Sequence, residues 1–320
     1  MPVTLAQAAM NADSDIDRNV IDEYRKSSWL FDNLTFDDVV NPAGGGSTLT
    51  YGYNRLVVQP TAAFRAINVE YTPQEATKTP ITVDLKPFGG SFQIDRVLAA
   101  IARAAEVAFQ IEQKAKAAKA LFNDAFFNGD SGDGVSFDGL SVALTGTSTE
   151  ITAAEWAANG FGGVWSGLDE AKSFTVMDDV DVLLAQLDGP ADFIAANART
   201  LAKLRSAARR AGYFTRGEDA FGKPIERYNG IVLLDPGKKA GLTTDVIPVG
   251  VGGLTDIYAV RLGLDGVHGI SLSGTPPVRQ WMPDFTTAGA VKTGEVEMVA
   301  AIALKATGAA AVVRDVDLIA

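Results

Sequence analysis

The chain has 320 residues, 47% of them hydrophobic and 21% charged, with no Cys, a single His (His268) and a net charge of −11. Without Cys there are no disulfides, thiolate catalysis or Cys-ligated zinc and iron–sulfur clusters, and one His cannot supply a two-His metal site. The negative balance argues against phosphate binding over the whole surface, and no stretch approaches the ~18 apolar residues of a membrane span.

Residues 1–48 read as an N-terminal arm. The opening "MPVTLAQAAMNADSD" lacks the basic region and apolar run of a signal peptide. In "DSDIDRNVIDEYRKSSWLF", Ile16, Val20, Tyr24 and Leu30, with Trp29 beside the last, predict a short amphipathic helix. It packs on its own domain or buries its stripe against a neighbouring subunit. "NPAGGGST" is a flexible break.

Residues 49–94 predict two strands, "TLTYGYNRLVV" leading out and "TPITVDLKPFGGSFQI" leading back, with Ile81, Val83 and Leu85 alternating. The excursion between them, "QPTAAFRAINVEYTPQEATKT", has too little apolar surface for a core of its own. It therefore lies on the domain or reaches another chain.

Residues 95–149 begin with a helix over 96–127, free of Gly and Pro and capped by Asp95. Its apolar stripe is Val97, Ile101, Ala104, Ala108, Ile111, Ala115, Ala118 and Phe122, and Glu112–Lys116 is a supporting pair. Asn128-Gly129 is expected to stop it in the left-handed conformation. The following "FFNGDSGDGVSFDGL" contains Gly129-Asp130-Ser131-Gly132, the quartet around the nucleophile of chymotrypsin-like proteases. A nucleophilic Ser131 needs a base and an orienting partner. His268 stands downstream, in the wrong order for that family, and Asp133 replaces its second Gly. A calcium loop wants an acidic side chain where Gly132 sits. The stretch reads as a turn.

Residues 150–285 read as an α/β unit. "SFTVMDDVDVLLAQL" predicts a helix, "ADFIAAN" a strand, "ARTLAKLRSAARRAG" a basic helix ending at Gly212. "GKPIERYNGIVLLD" predicts two strands about Tyr228-Asn229-Gly230, and "VIPVGVGGLTDIYAVRLG" a further strand pair. Gly250, Gly252 and Gly253 miss the spacing of a dinucleotide fingerprint. Lys203, Arg205, Arg209 and Arg210, in so acidic a chain, suit a solvated or intersubunit face better than nucleic acid. Residues 286–320 close with two strands around Thr307-Gly308, expected to return to the unit of the long helix.

This order of elements resembles the major capsid proteins of tailed bacteriophages, the Hong Kong 97-type fold shared with encapsulin shells. The strands of 49–94 look like that family's E-loop. The helix 96–127 with its "NG…F.GL" loop looks like its spine helix in the P domain (95–149). "FIAANARTLAKLRSAARRAG", through Asn197, Thr200, Leu201 and Leu204, and "GKPIERYNGIVLL", through Gly222, Pro224 and Gly230, are similar to its A domain (150–285). The resemblance implies an α+β capsid fold with an N-arm, a β E-loop, a spine helix and an α/β A domain. It implies a structural protein with no catalytic residue, cofactor or metal. Such a protein assembles with itself into pentamers and hexamers of an icosahedral virion capsid, in the host cytoplasm, around double-stranded DNA held without sequence-specific binding. A portal, a separate scaffolding protein and a decoration protein are the other implied partners, and no membrane. Arg55, Phe64, Arg65, Glu70, Tyr71, Glu75 and Lys78 of the E-loop, and Ile16, Val20, Tyr24 and Trp29 of the N-arm, are then the expected intersubunit contacts. Residues 1–48 are too short for the scaffolding segment some members carry. No local motif pairs Lys78 with an Asn, so a Lys–Asn cross-link is not assigned. The rivals are an encapsulin-like compartment with an enzyme cargo, a hydrolase using Ser131, and a tail or connector ring.

Overall fold

The computed structural model describes residues 29–41, 49–212, 215–218, 224–274 and 278–319. Ile16, Val20 and Tyr24 lie outside them, as do the side chains of Ile101 and Ala104.

A short helix, α1 (Trp29–Asn33), leads to strand β1 (Phe36–Val40). Strands β2 (Thr50–Val58) and β3 (Thr77–Asp84) follow; they pair antiparallel from Thr50↔Asp84 to Val58↔Thr77 and form a sheet of their own. Strand β4 (Lys86–Asp95) then feeds the long helix α2 (Arg96–Asn128). Asp95 caps it as predicted, its Oδ1 accepting the Val97 N–H at 2.8 Å. At 1.5 Å per residue its 33 residues span about 50 Å.

The buried face of α2 is Val107, Ile111, Ala118, Phe122 and Phe126, whereas Val97 and Ala108 of the predicted stripe are exposed. The helix stop also differs from expectation. Gly129 has φ −58° and ψ 145°, an extended conformation open to any residue, and donates to Ala125 O at 2.9 Å. Glycine is required there by proximity: a Cβ would stand 2.2 Å from the Phe137 carbonyl. The loop folds back so tightly because Gly139 N–H donates to Gly129 O at 2.9 Å.

After that loop come α3 (Leu140–Leu144), β5 (Glu150–Ile151), α4 (Trp156–Asn159), α5 (Glu170–Ala185), β6 (Phe193–Ala195) and α6 (Ala198–Ala211). The chain continues through β7 (Thr215–Glu218), β8 (Pro224–Tyr228), β9 (Ile231–Leu234), β10 (Leu254–Val260), β11 (Val267–Leu272), β12 (Val278–Trp281), β13 (Val291–Leu304) and β14 (Ala310–Asp317). Asn229 (φ 49°) and Gly230 (φ 84°) form the tight turn expected between β8 and β9. The strand pair expected over 246–263 is only β10. Pro248 and the left-handed Gly252 and Gly253 hold the preceding segment in a loop.

Two larger sheets organise the molecule. One has the order β1-β11-β13-β12, and β4 pairs with β13 from Val291↔Asp95 to Ala300↔Lys86. Helix α2 packs on it through Phe92, Ile94, Val107, Ile111 and Val296. The other has the order β5-β14-β10-β6-β9-β8-β7. Helices α5 and α6 cover one of its faces through Val176, Val180, Leu183, Leu201 and Leu204. Its opposite face joins Phe126, Phe127 and Leu140 in the largest core.

The closing strands therefore part company: β13 returns to the sheet of α2, whereas β14 inserts between β5 and β10. Burial explains this correction. Ala310, Ala311, Val312 and Val313 are all fully buried, so both faces of β14 need cover, which the middle of a sheet layered on both sides provides. Arg314 ties α3 to that sheet, donating to Glu150 (2.9 Å), Asp256 (3.0 Å) and Ser141 Oγ (2.8 Å).

Candidate functional site

The Gly129–Gly132 quartet is built as a turn. Ser131 is exposed within a short 3-10 turn, Ser131–Asp133. The acidic side chains around it accept backbone donors: Asp130 from Gly132 N–H, Asp133 from Val135 and Ser136 N–H, and Asp138 from Ser131 N–H, all at 2.7–2.8 Å. The Ser136 and Val135 amides hold the Asp133 carboxyl below its ordinary range. These carboxylates are engaged in shaping the loop. His268 is fully buried on β11, facing Tyr51 of β2. A Ser131–His268 pair is therefore not formed. Among the described residues there is no cluster of three or more His, Cys, Asp or Glu able to hold a metal.

The loop bounds a cavity of about 490 Å³ against β4 and the end of α2, lined by Lys86, Leu121, Asp124, Val135 and Lys239 among others. Its charges are already paired: Lys239 with Asp124 at 3.2 Å, and Lys86 with the Gly134 carbonyl at 3.3 Å. Nothing converges there on one reacting atom.

The arm formed by β2 and β3 is the feature that stands apart. Beyond Val58 and before Thr77 the chain makes an irregular tip, residues 59–76, closed by Thr61, whose N–H and Oγ1 donate to Gln74 Oε1. It bends at Asn68, which sits in the left-handed region at φ 67°, with Val69 N–H donating to Ala66 O. Arg65 lies 5.4 Å over the Tyr71 ring and donates to the Ala66 and Val69 carbonyls. Phe64 (108% exposed), Ile67 (88%), Tyr71 and Val69 are all exposed among the described residues.

Of the residues singled out in the sequence, Phe64, Arg65, Glu70, Tyr71 and Glu75 share this tip, and Lys78 is exposed on β3. Arg55 is elsewhere. Its guanidinium turns inward at the foot of the arm, donating to Leu304 O and to Lys305 O (3.1 Å), beside Tyr53, whose hydroxyl donates to Leu304 O at 2.7 Å. Arg55 is an anchor within the chain. Trp29 is likewise an internal contact, edge-on to Phe193 at 5.5 Å. Sequence reasoning misses Asn68, the residue that turns the tip; an Asn between β-branched neighbours is its only signal. It also misses a second exposed apolar patch, Trp281, Met282, Phe285 and Val291 on β12, β13 and the loop between them. The basic helix α6 spends Arg210 on the Leu168 carbonyl, and its Lys203 lines a cavity with Arg199, Val249 and Ile319.

No family model matches the sequence, and no curated protein matches it. Solved structures do match, over nearly the whole chain. The subunit of the holo-SrpI encapsulin complex from Synechococcus elongatus is 16% identical, with a TM-score of 0.63 over 99% of this chain and 97% of that one. The capsid of the native GTA particle is 15% identical, with a TM-score of 0.63 over 98% of each chain. The capsid of Myoviridae phage XM1 is 11% identical, with a TM-score of 0.59 over 98% of this chain and 99% of that one.

Proposed function

Starting from the Hong Kong 97-type capsid fold, which this chain has, we propose that it is a structural subunit of a closed protein shell and carries out no catalysis. We further propose that the shell is the icosahedral capsid of a tailed phage, built from pentamers and hexamers of this chain around double-stranded DNA. The arm is the observation that carries this. Phe64 and Ile67 are not buried by any of the described residues, and burying each on a neighbour is worth about 1.5–3 kcal/mol. Phe64, Arg65, Glu70, Tyr71, Glu75 and Lys78 would then lie across the adjacent subunit, with the Trp281–Phe285 patch as a further contact. Affinity per contact can be modest, because each subunit engages several others at once. A net charge of −11 suits a wall that repels packed DNA instead of binding it. A portal, a separate scaffolding protein and a decoration protein complete the expected partners.

The second reading is an encapsulin-like compartment around an enzyme cargo. The likeness to the SrpI encapsulin, equal in TM-score to that with the GTA capsid, favours it. Electron microscopy and light-scattering mass of the chain expressed alone test the common part. Closed shells, or free pentamers and hexamers, are the expected result. A monomer that persists when the products of neighbouring genes are added would overturn it. Nuclease-protected DNA in native particles supports the phage capsid; a co-purifying enzyme supports the compartment.

A further inference from the structure

His268 lies under the foot of the arm. Its side chain is fully buried on β11, beside Ala303 of β13, and Tyr51 of β2 meets the ring edge-on with centroids 6.1 Å apart. Neither Nδ1 nor Nε2 has a hydrogen-bond partner among the described residues. The charges that act on it are Lys305, just beyond β13, and Asp37 on β1. Lys305 Nζ also stands 5.6 Å over the Tyr51 ring, and Arg55 bonds the Leu304 and Lys305 carbonyls close by. The Gly266 and Gly263 backbone lies near enough to favour the charged ring, though not at full hydrogen-bond geometry.

We propose that His268 is an acid-sensitive latch for the arm: a proton taken up by its imidazole loosens β2 from the β11–β13 sheet and lets the arm change its angle. An imidazolium here would be a buried cation next to an ammonium, with Asp37 and the backbone acceptors at Gly266 and Gly263 as the weaker opposing groups. Its relief is to lift Tyr51 away and admit water. Tyr53 and Arg55 make their bonds to the sheet at the same short segment, Leu304–Lys305. The proposal concerns the footing of the arm in one chain and does not depend on the shell reading.

Burial, then Lys305, hold the imidazole below its ordinary 6.5, against weaker opposition from Asp37 and the backbone. A loosened or unfolded foot therefore takes the proton first. Attachment is complete above pH 6.5 and is lost as pH falls below it toward the depressed native value.

The test pairs two mass-spectrometric readouts on the full chain, in whatever assembly it adopts. Exchange of the imidazole C2 hydrogen reports this histidine alone, since the chain has no other; its midpoint is expected below 6.5. Amide protection over residues 50–56, corrected for intrinsic rates, is expected to fall about tenfold or more between pH 7.5 and pH 5, while β10 and β14 stay protected. In His268→Phe the fall should vanish. A C2 midpoint at or above 6.5, unchanged protection of residues 50–56, or an equal fall in His268→Phe each overturns the latch. The C2 midpoint keeps it testable even where His268→Phe fails to fold.

Discussion

Asp179 shows how much one buried carboxyl can hold in place. It is fully buried on α5, and its carboxylate accepts the Gly162 and Gly163 N–H groups and Trp165 Nε1–H. One side chain thus holds the loop after α4 against α5. Asp179→Ala leaves those donors unpaired, and a loss of about 2–4 kcal/mol in urea unfolding is expected. A change below about 0.5 kcal/mol would show that the loop relaxes to water instead. Burial raises the Asp179 carboxyl above its ordinary 3.8, outweighing the three donors. The native state therefore keeps the proton longer than the unfolded chain does. Its contribution is greatest below 3.8 and fades as pH rises through the native value, a decline that Asp179→Ala should lack. At this scale the sequence leaves a side chain's internal partners open. Trp29 and Arg55 look like contacts for a neighbour, because an aromatic and a cation in peripheral segments suit an interface. Whether such a side chain turns inward depends on Phe193 and the Leu304 carbonyl, which are far away along the chain.

At the scale of elements the arm lets folding and the proposed assembly be tested apart. The β2–β3 ladder ends at Val58↔Thr77, so an Asn-Gly turn can replace residues 59–76 without disturbing the pairing. Such a variant should unfold within about 1 kcal/mol of wild type, because the tip buries little of the core, yet form no closed shells by electron microscopy. Normal shells from it would refute the arm as the assembly element. Elements with strong local codes are legible in advance: the cap and uninterrupted run of α2, the alternation of β3, the Asn229-Gly230 turn. Expectation and structure diverge where neighbours decide. The predicted stripe of α2 passes through Ala108 because small residues fit either face, and Gly129, which reads as a left-handed stop, serves instead to clear Phe137. The partition of β13 and β14 between two sheets is invisible in a hydrophobic run, since both read as buried strands.

For the whole molecule, charge is the variable that the fold leaves free. With a net charge of −11 on each copy, association works against repulsion that salt screens, the Debye length being about 10 Å at 0.1 M. Raising the salt from about 0.02 M to about 0.3 M should therefore increase the assembled fraction seen by light scattering. A decrease would mean that ion pairs, such as those of Arg65 or Lys78 with a neighbour, outweigh the net charge. Composition alone excludes thiol and two-His chemistry, and the order of elements carries the fold. The contents of the proposed shell are not legible, because what a container encloses depends on its partners.

The place of β14 has a consequence for synthesis. Its residues come after every other strand of the second sheet, yet they occupy the position between β5 and β10. While a chain is being translated, that sheet stays split, with β10 lacking the partner on one of its edges. A nascent chain stalled before Ala310 keeps this gap open and presents an unfinished layer to quality control. Completion of that sheet is thereby tied to reading the message at least through Asp317.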